Sequence, residues 1–316
     1  MKIPNKMDIE EAYSNIRNQI NRTPVLTSTY INKISSAELF FKCENFQKVG
    51  AFKFRGAINS VNNLSQEQKK NGVATHSSGN HAQALALAAK MNSIPAHIVM
   101  PRTAPEVKVN AVKDYGANVI FCEPTLEARE STLKDIIAKT SAVEIHPYDY
   151  FNTVCGQGTS SLEFLQDHPD LDIIMTPVGG GGLLSGTATY VKGFNENIKV
   201  YAAEPEGADD AYRSFHKKEL IPSVNPKTIC DGLLTSLGEL NFQIILKKVD
   251  NIFTVNDDEI KNALILIWER MKIIVEPSCA TVLAVVLKYP ENFRNKKVGL
   301  IISGGNVDIK KVCEYL

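Results

Sequence analysis

The sequence predicts an α/β fold with mostly parallel sheets. Short apolar runs rich in β-branched residues alternate with longer segments of helical periodicity along most of the 316 residues. This alternation is typical of β-α-β units, which have right-handed crossovers and strands buried on both faces. Segments rich in glycine or serine follow several of the apolar runs, where α/β proteins collect their ligands. We therefore expect twisted sheets with helices on both faces.

The predicted strands are apolar runs without polar alternation, as expected of strands buried on both faces. A shorter run, GVATH at 72–76, is predicted to be a strand as well. The longer runs are LFFKC at 39–43, AHIVM at 96–100, NVIFC at 118–122, DIIMTPV at 172–178, KVYAAE at 199–204 and VGLIIS at 298–303.

Helical periodicity is clearest in two segments. Residues 8–20 are predicted to be a helix that Asp8 caps, and residues 257–272 a helix that Asp257 caps. The apolar residues that share one face of the first helix are Ile9, Ala12, Ile16 and Ile20.

Two polar stretches, at 62–72 and 146–152, interrupt the apolar rhythm. They predict a discontinuous large domain, formed by residues 1–65 and 150–316, and a small mobile domain over residues 70–146. A cleft would lie between the two domains, and ligands usually bind in such clefts.

Composition narrows the class of protein. Lys plus Arg and Asp plus Glu both total 35, so the net charge is zero, which argues against nucleic-acid and anionic-membrane partners. The first residues show no apolar leader, and no apolar run is long enough to span a bilayer. Six cysteines without metal-site spacing indicate reduced thiols, so a cytoplasmic protein is expected.

Lys53 stands between two phenylalanines, Phe52 and Phe54, at the start of a helical pattern. A lysine in an apolar setting can have a lowered pKa and can act as a Schiff-base amine. The alternative is an amphipathic helix whose lysine extends to water, and Lys53 by itself favours this alternative.

Residues 77–81, Ser-Ser-Gly-Asn-His, lie between a predicted strand and a predicted helix. Backbone N–H groups at such a helix start suit a carboxylate, whereas a capped helix start explains the same residues equally well. His81 taken alone is better explained as a packed, hydrogen-bonded histidine.

Four successive glycines, Gly179 to Gly182, follow another predicted strand. They can form an anion nest next to a helix N-terminus, which favours a phosphate over a merely flexible loop. The segment matches neither the Walker loop nor GxGxxG, which disfavours a nicotinamide-dependent oxidoreductase. Ser303 also follows a strand, although a tight turn would explain the Ser303-Gly-Gly-Asn306 segment alone.

Together these segments resemble the fold-type-II pyridoxal-phosphate (PLP) enzymes, which are similar to tryptophan synthase β, and among them the serine racemase and serine/threonine dehydratase family. The resemblance covers the chain from Asn21 to Asp308. The matching segments are FKCENFQKVGAFKFRGA, THSSGNHAQAL, PVGGGGLLSG, AAEPEGADDAY, DGLLTSLG, FTVNDDEIKNA, WERMKIIVEPS and IISGGNVD.

The resemblance implies a cofactor site. Lys53 would hold PLP covalently and later move the α-proton, with Phe52 and Asn80 flanking the ring and Asn80 bonded to its phenolic oxygen. Ser303 would meet the pyridine nitrogen. A serine hydroxyl is too weak an acid to keep that nitrogen protonated, which favours prompt β-elimination over a long-lived carbanion. The phosphate would be held by Gly179, Gly180, Gly181, Gly182 and Leu183.

The resemblance also implies substrate and metal residues. Ser78 would face the α-carbon opposite Lys53 and so permit racemisation, which needs one acid/base group on each face. The family's divalent-cation site would be formed here by Glu204, the carbonyl of Ala208 and Asp210, which suit Mg²⁺, Ca²⁺ or Mn²⁺; a solvated acidic turn is the alternative. The substrate-binding residues would be Ser77, Ser78, Asn80, His81, Arg129 and Thr235.

The predicted function is β-elimination of serine or threonine to a keto acid and ammonia, together with serine racemisation. An alternative is a threo-3-hydroxyaspartate dehydratase, in which Arg129 binds the second carboxylate or is simply a solvated helix residue. A cysteine-synthase-like enzyme and a non-catalytic PLP-binding regulator are less favoured. Val49 replaces the threonine of nucleotide-activated racemases, so nucleotide activation is not expected; the family resemblance implies a homodimer.

Overall fold

The computed structural model describes residues 2–314, with the side chains of Val107 and Lys311 excluded. It contains two separate sheets, one of six strands and one of four, both flanked by helices. Across the described residues, no helix is both long enough and apolar enough to cross a membrane.

The six-stranded sheet has the strand order β1-β2-β10-β7-β8-β9. All neighbouring strands are parallel except β1, which pairs antiparallel with β2 at one edge. The carboxyl ends of the parallel strands therefore share one edge of the sheet. The strands are β1 (Val25–Leu26), β2 (Glu38–Cys43), β7 (Ile173–Pro177), β8 (Lys199–Pro205), β9 (Asn251–Val255) and β10 (Lys297–Ile302).

The four-stranded sheet is entirely parallel, in the order β5-β4-β3-β6. It comes from one continuous stretch of chain, as expected for the proposed small domain. Its strands are β3 (Val73–His76), β4 (Ala96–Pro101), β5 (Asn118–Cys122) and β6 (Val143–Glu144).

The helices within residues 2–314 pack on both faces of the two sheets. They are α1 (Lys6–Ile16), α2 (Thr29–Ser35), α3 (Lys53–Asn62), α4 (Gln66–Asn71), α5 (Asn80–Met91), α6 (Glu106–Asp114), α7 (Leu126–Thr140), α8 (Phe151–Asp167), α9 (Gly182–Phe194), α10 (Asp210–Lys217), α11 (Glu239–Lys248), α12 (Asp257–Met271), α13 (Pro277–Lys288) and α14 (Ile309–Cys313).

Helix α8 lies between α3 and α9 and fixes their positions. A side chain at Gly156 would lie 2.5 Å from the Arg55 carbonyl oxygen of α3, and one at Gly158 would lie 2.9 Å from the Gly186 carbonyl oxygen of α9. These glycines therefore allow the helix backbones to touch. Because α3 begins at Lys53 and α9 begins at Gly182, the last glycine of the loop, this packing sets the spacing of the two segments.

The α/β prediction is confirmed, and each predicted strand is present. Both predicted helix caps were wrong, that of α1 by three residues and that of α12 by one. The cap of α1 is Asn5, with Asp8 closing the capping box, and the cap of α12 is Asn256, with Glu259 in the same role. In both cases an acidic residue of the first turn was mistaken for the cap. Strands β1, β6 and β9 were not predicted.

Candidate active site

The site is built around Lys53, the first residue of α3. The backbone N–H of Phe52 donates to the Ser303 carbonyl oxygen at 3.0 Å, which ties the start of α3 to the end of β10. The Lys53 amine donates to the Pro147 carbonyl oxygen at 2.9 Å. It also lies 5.2 Å from the centre of the Phe52 ring and 5.8 Å from that of Tyr148.

This setting changes the acidity of the Lys53 amine. Burial lowers the pKa of Lys53 to about 8, and the negative charge of Glu276 only partly opposes the change. A substantial fraction of the amine is therefore neutral near pH 8, which is the form that can attack a carbonyl group. The structure thus supports the Schiff-base interpretation of Lys53 over that of a solvated lysine.

A buried charge network, which the sequence analysis missed, holds α3 in place. Arg55 donates to Glu44 from Nε at 2.7 Å and to Glu163 from Nη2 at 2.8 Å, and Lys42 donates to Glu163 at 2.7 Å. All four side chains are at most 1% exposed, and the charges balance. Removing one member of such a network leaves an unpaired buried charge. The network therefore fixes the helix that carries Lys53.

The Ser77–Gly79 loop joins β3 to α5. Among the described residues, the backbone N–H groups of Ser78, Asn80 and His81 donate no hydrogen bond, whereas that of Ser77 donates to the Val99 carbonyl oxygen at 3.1 Å. A side chain at Gly79 would meet open space. The loop can therefore bind a carboxylate through three amides, with Ser77 contributing only its hydroxyl.

The histidine side chains near the site are neutral and structural. His81 Nε2 donates to the Ile145 carbonyl oxygen at 2.9 Å, and His146 Nδ1 accepts from the Asp149 N–H at 2.8 Å. Burial lowers the pKa of His81 to about 3 and that of His146 to about 4. The His81 ring therefore brings no positive charge to the site at neutral pH, and its backbone N–H is the group left for a substrate.

The glycine loop follows β7 and is fully buried. Gly181 has a φ of +91°, which only glycine adopts readily, and a side chain at Gly180 would collide with the Tyr148 ring. Within residues 2–314, no N–H group from Gly179 to Leu183 donates a hydrogen bond. These unpaired donors at the start of α9 form an anion site of the kind that binds phosphate.

Ser303 lies at the carboxyl end of β10 and is 3% exposed. Its hydroxyl has no hydrogen-bond partner in the described part of the chain. The neighbouring Cys279 thiol donates to the carbonyl oxygens of Glu276 and Gly304 at 2.9 and 3.1 Å. Burial raises the pKa of Cys279, so this cysteine stays a protonated packing group, while Ser303 is free to meet a ligand.

Glu276 is another residue to which the sequence analysis gave no role. It is 8% exposed and accepts from the Asn80 amide at 3.1 and 3.2 Å. Burial raises the pKa of Glu276 to about 7, although the Asn80 bond and the charges of Lys108 and Lys53 oppose the rise. Glu276 directly precedes Pro277, the first residue of α13, and so occupies the N-cap position of that helix. This position was the only signal in the sequence that could have drawn attention to it.

Arg129 and Thr235 each lie next to a residue of the site region, His76 and Tyr148 respectively. Arg129 lies on α7, close enough to His76 at the end of β3 to lower its pKa, after burial as the main cause. The Nε atom of Arg129 is buried and has no hydrogen-bond partner. Thr235 is exposed and hydrogen-bonds Tyr148, whose pKa burial raises to about 12.

The acidic cluster lies after β8. Glu204 accepts from the Ala211 and Tyr212 N–H groups at 2.9 and 2.7 Å, and so caps α10. Asp210 accepts from the Leu237 N–H at 2.8 Å with one oxygen, while Oδ1 is buried and unpaired. Among the described residues, no group of three or more His, Cys, Asp or Glu side chains is placed to hold a metal. The cluster can therefore offer a cation two carboxylates and one backbone carbonyl.

The residues present fit PLP. The packing of α3 and α9 on α8, and the bond from the Phe52 N–H to the Ser303 carbonyl oxygen, bring three groups together. They are a desolvated lysine amine at the start of α3, a nest of free N–H groups at the start of α9 and a buried serine hydroxyl at the end of β10. They match the aldehyde, the phosphate and the pyridine nitrogen of the cofactor. The set defines the candidate active site of an α/β enzyme that uses PLP.

Comparisons with known proteins agree with PLP as the cofactor. The family profile described as pyridoxal-phosphate dependent enzyme matches residues 16–304. A serine racemase from Dictyostelium discoideum is 52% identical over 315 residues, which is 98% of this chain and 97% of the relative. A beta-hydroxyaspartate dehydratase from Paracoccus denitrificans is 46% identical over 312 residues, or 99% of each chain.

A solved structure of maize serine racemase has a TM-score of 0.96 and 44% identity, and the match covers 99% of this chain and 97% of that one. The chain therefore belongs to the family of pyridoxal-phosphate-dependent enzymes, and its fold is that of fold type II. The predicted family and fold are confirmed, and so is PLP as a cofactor.

Proposed function

We propose that the protein eliminates water from L-serine or L-threonine to give a keto acid and ammonia, and that it also racemises serine. The observation that carries the proposal is the desolvated Lys53 amine, in a site whose glycine loop and Ser303 suit the two ends of PLP. When bound, PLP supplies an electron sink for the bonds at the α-carbon. The serine racemase among the relatives supports racemisation, and the beta-hydroxyaspartate dehydratase supports elimination of water, although from a different hydroxy amino acid.

Different residues act on the two faces of the substrate, on its carboxylate and on the cofactor ring. Lys53 takes the α-proton on one face, and the free N–H groups of Ser78, Asn80 and His81 bind the substrate carboxylate. The Ser303 hydroxyl would donate a hydrogen bond to the pyridine nitrogen without protonating it, which favours departure of the β-hydroxyl. Ser78 serves as the acid on the opposite face, which racemisation requires.

The direct test is to incubate the PLP-loaded protein with L-serine and Mg²⁺ and to quantify pyruvate and D-serine in the same tube. The proposal predicts both products, with their ratio identifying the main activity. Pyruvate without D-serine would mean that the protein is a dehydratase without racemase activity. The absence of both products would refute the proposal.

The pH dependence of cofactor capture provides a further prediction. Because burial lowers the pKa of Lys53 to about 8, the neutral amine increases with pH up to that value and then levels off. The rate of PLP attachment should therefore rise about tenfold per pH unit below 8 and reach a plateau above it. A solvated lysine would give a rate that keeps rising towards a pKa of about 10.4. Stopped-flow absorbance after mixing PLP with cofactor-free protein measures this rate.

A second candidate substrate, threo-3-hydroxyaspartate, is favoured by the unpaired Nε of Arg129. Replacing Arg129 with glutamine should lower kcat/KM for this substrate about 10- to 100-fold, because a charged hydrogen bond to its second carboxylate is lost, and should affect L-serine far less. The matched control is Arg102→Gln, since Arg102 is exposed and pairs with Glu123 on the surface. Equal losses for both substrates would exclude this role.

We also propose a divalent cation at Glu204, the Ala208 carbonyl and Asp210, supported by the unpaired, buried Oδ1 of Asp210. Mg²⁺ at about 100 times its Kd should then add about 2.7 kcal/mol to the free energy of unfolding. Asp210→Asn should remove most of this stabilisation, whereas Asp209→Asn should keep it, because Asp209 pairs with Arg213 instead. Thermal unfolding with Mg²⁺ or EDTA measures the effect, and an unchanged Mg²⁺ response in Asp210→Asn would refute the site.

The remaining expectations concern organisation. We propose that residues 70–146 form a small domain that closes over the substrate, which the separate four-stranded sheet supports. The family resemblance supports a homodimer. Six cysteines without a disulfide in the described residues support a reducing, cytoplasmic location.

A further inference from the structure

Asn80 is held at both ends of its side-chain amide. Its Nδ2 donates to both oxygens of Glu276 at 3.1 and 3.2 Å, and its Oδ1 accepts from the Asn306 amide at 2.9 Å. Asn80 begins α5, which packs on the four-stranded sheet, whereas Glu276 and Asn306 follow elements of the six-stranded part. The contact therefore joins the two parts of the molecule beside Lys53.

These bonds fix which way the Asn80 amide faces. The Val49 carbonyl oxygen can only accept, so Asn306 presents its Nδ2 to it, and the same Nδ2 donates to Asn80, whose Oδ1 must therefore face that side. The Asn80 Nδ2 then faces Glu276, whose ionised form accepts from it. The acceptor end of Asn80 is thereby occupied. Of the two N–H bonds of its Nδ2, one is directed at Glu276 and the second remains available for an acceptor in the site.

The other contact of Asn306 lies on the segment that leads to Lys53. Asn306 Nδ2 donates to the Val49 carbonyl oxygen at 2.6 Å. Val49 has φ +56° and ψ 14°, a left-handed conformation that a β-branched residue rarely adopts. Its side chain packs against the core cluster that includes α5. Such conformations persist only where the surroundings hold them, and they concentrate at functional sites.

We propose that Asn306 and Glu276 are positioning residues that lock Asn80 as a hydrogen-bond donor to PLP and latch α5 to the segment that carries Lys53. The proposal rests on PLP as the cofactor and extends the site to two residues outside the cofactor's predicted contacts. Since α5 begins directly after the Ser77–Gly79 loop, the same latch sets where the carboxylate-binding amides stand relative to Lys53.

The test is a double-mutant cycle on PLP affinity, measured by titrating cofactor-free protein and following the absorbance of the bound cofactor. Asn306→Ala should weaken PLP binding about tenfold, the expected effect of losing a buried hydrogen bond, and Asn80→Ala should weaken it by at least as much. If Asn306 acts through Asn80, the double variant should bind no more weakly than Asn80→Ala alone. Additive losses would overturn the proposal.

The control for the cycle is Asn45→Ala. Asn45 donates to the Ile274 carbonyl oxygen at 3.1 Å next to the same loop, without contacting Asn80. This change should leave PLP affinity within the error of the titration. A loss as large as that of Asn306→Ala would mean that any disturbance of the loop weakens binding, and would also overturn the proposal.

Hydrogen exchange on the cofactor-free protein gives a second measurement that does not depend on activity or substrate. Asn306→Ala should speed amide exchange in the second turn of α5, whose N–H groups bond to carbonyls of the first turn, and in residues 47–52, while exchange in the distant α12 stays unchanged. Asn306→Asp, which keeps the size but loses both donors, should show the same pattern if the alanine variant folds poorly. Unchanged exchange at α5 in both variants would contradict the latch.

Discussion

Replacing Lys53 with alanine is expected to abolish elimination and racemisation together, each by at least about 10³-fold. The same amine serves as the attachment point of the cofactor and as the base on one face of the substrate, so no single step survives its loss. The structure gives the physical reason, since burial lowers the pKa of Lys53 to about 8 and makes its neutral form available. Pyruvate and D-serine production by the PLP-saturated variant measure the effect.

The control for this change is Lys48→Ala. Lys48 lies five residues earlier on the same approach to α3 and is partly buried, as Lys53 is. It should retain both activities and the visible absorbance of bound PLP. If Lys53→Ala kept either activity near that of the Lys48 variant, Lys53 could not be the active amine.

Replacing Ser78 with alanine should lower racemisation about 10²- to 10⁴-fold, the usual contribution of a general acid, while elimination from L-serine falls far less. Elimination needs the α-proton removed on one face only, whereas racemisation needs a proton returned on the other. The Ser78 hydroxyl has no hydrogen-bond partner among the described side chains, so it is free to act on a ligand. The ratio of D-serine to pyruvate formed from L-serine is the quantity to measure.

Ser77→Ala is the matched control for Ser78. The Ser77 N–H is already bonded to Val99, and its hydroxyl accepts weakly from Gly79 at 3.4 Å. This variant should alter substrate binding and lower both products in parallel, leaving their ratio unchanged. A ratio that falls equally in the two variants would remove Ser78 from its proposed role.

Much of the site could be predicted because its residues are consecutive in the sequence. The glycine loop, the Ser77–Gly79 loop and Ser303 each follow an apolar strand directly. The glycine loop and Ser303 end two parallel strands of the six-stranded sheet and so share one edge, whereas the Ser77–Gly79 loop ends β3 of the four-stranded sheet. In the sequence, only the two flanking phenylalanines indicated that Lys53 has an unusual environment. Its lowered pKa depends on burial, which is a product of the tertiary fold.

The rest could not be predicted because it depends on contacts between distant segments. In the sequence, Arg55 resembles an ordinary helix arginine. Only the structure shows that Glu163, 108 positions away, lies beside it. Tyr148 lay in a stretch that was interpreted as a domain boundary, yet its ring covers Gly180. Glu276 and Asn306 lay inside matching segments without a role, since only the structure shows that both contact Asn80.

The most direct test of the central claim is to reduce the PLP-loaded protein with borohydride and to map the modified peptide by mass spectrometry. The account predicts one phosphopyridoxyl group per chain, located on Lys53, and its loss in Lys53→Ala. Modification at a different lysine, or a protein that retains no cofactor after reduction, would contradict the assignment of Lys53 as the residue that holds PLP.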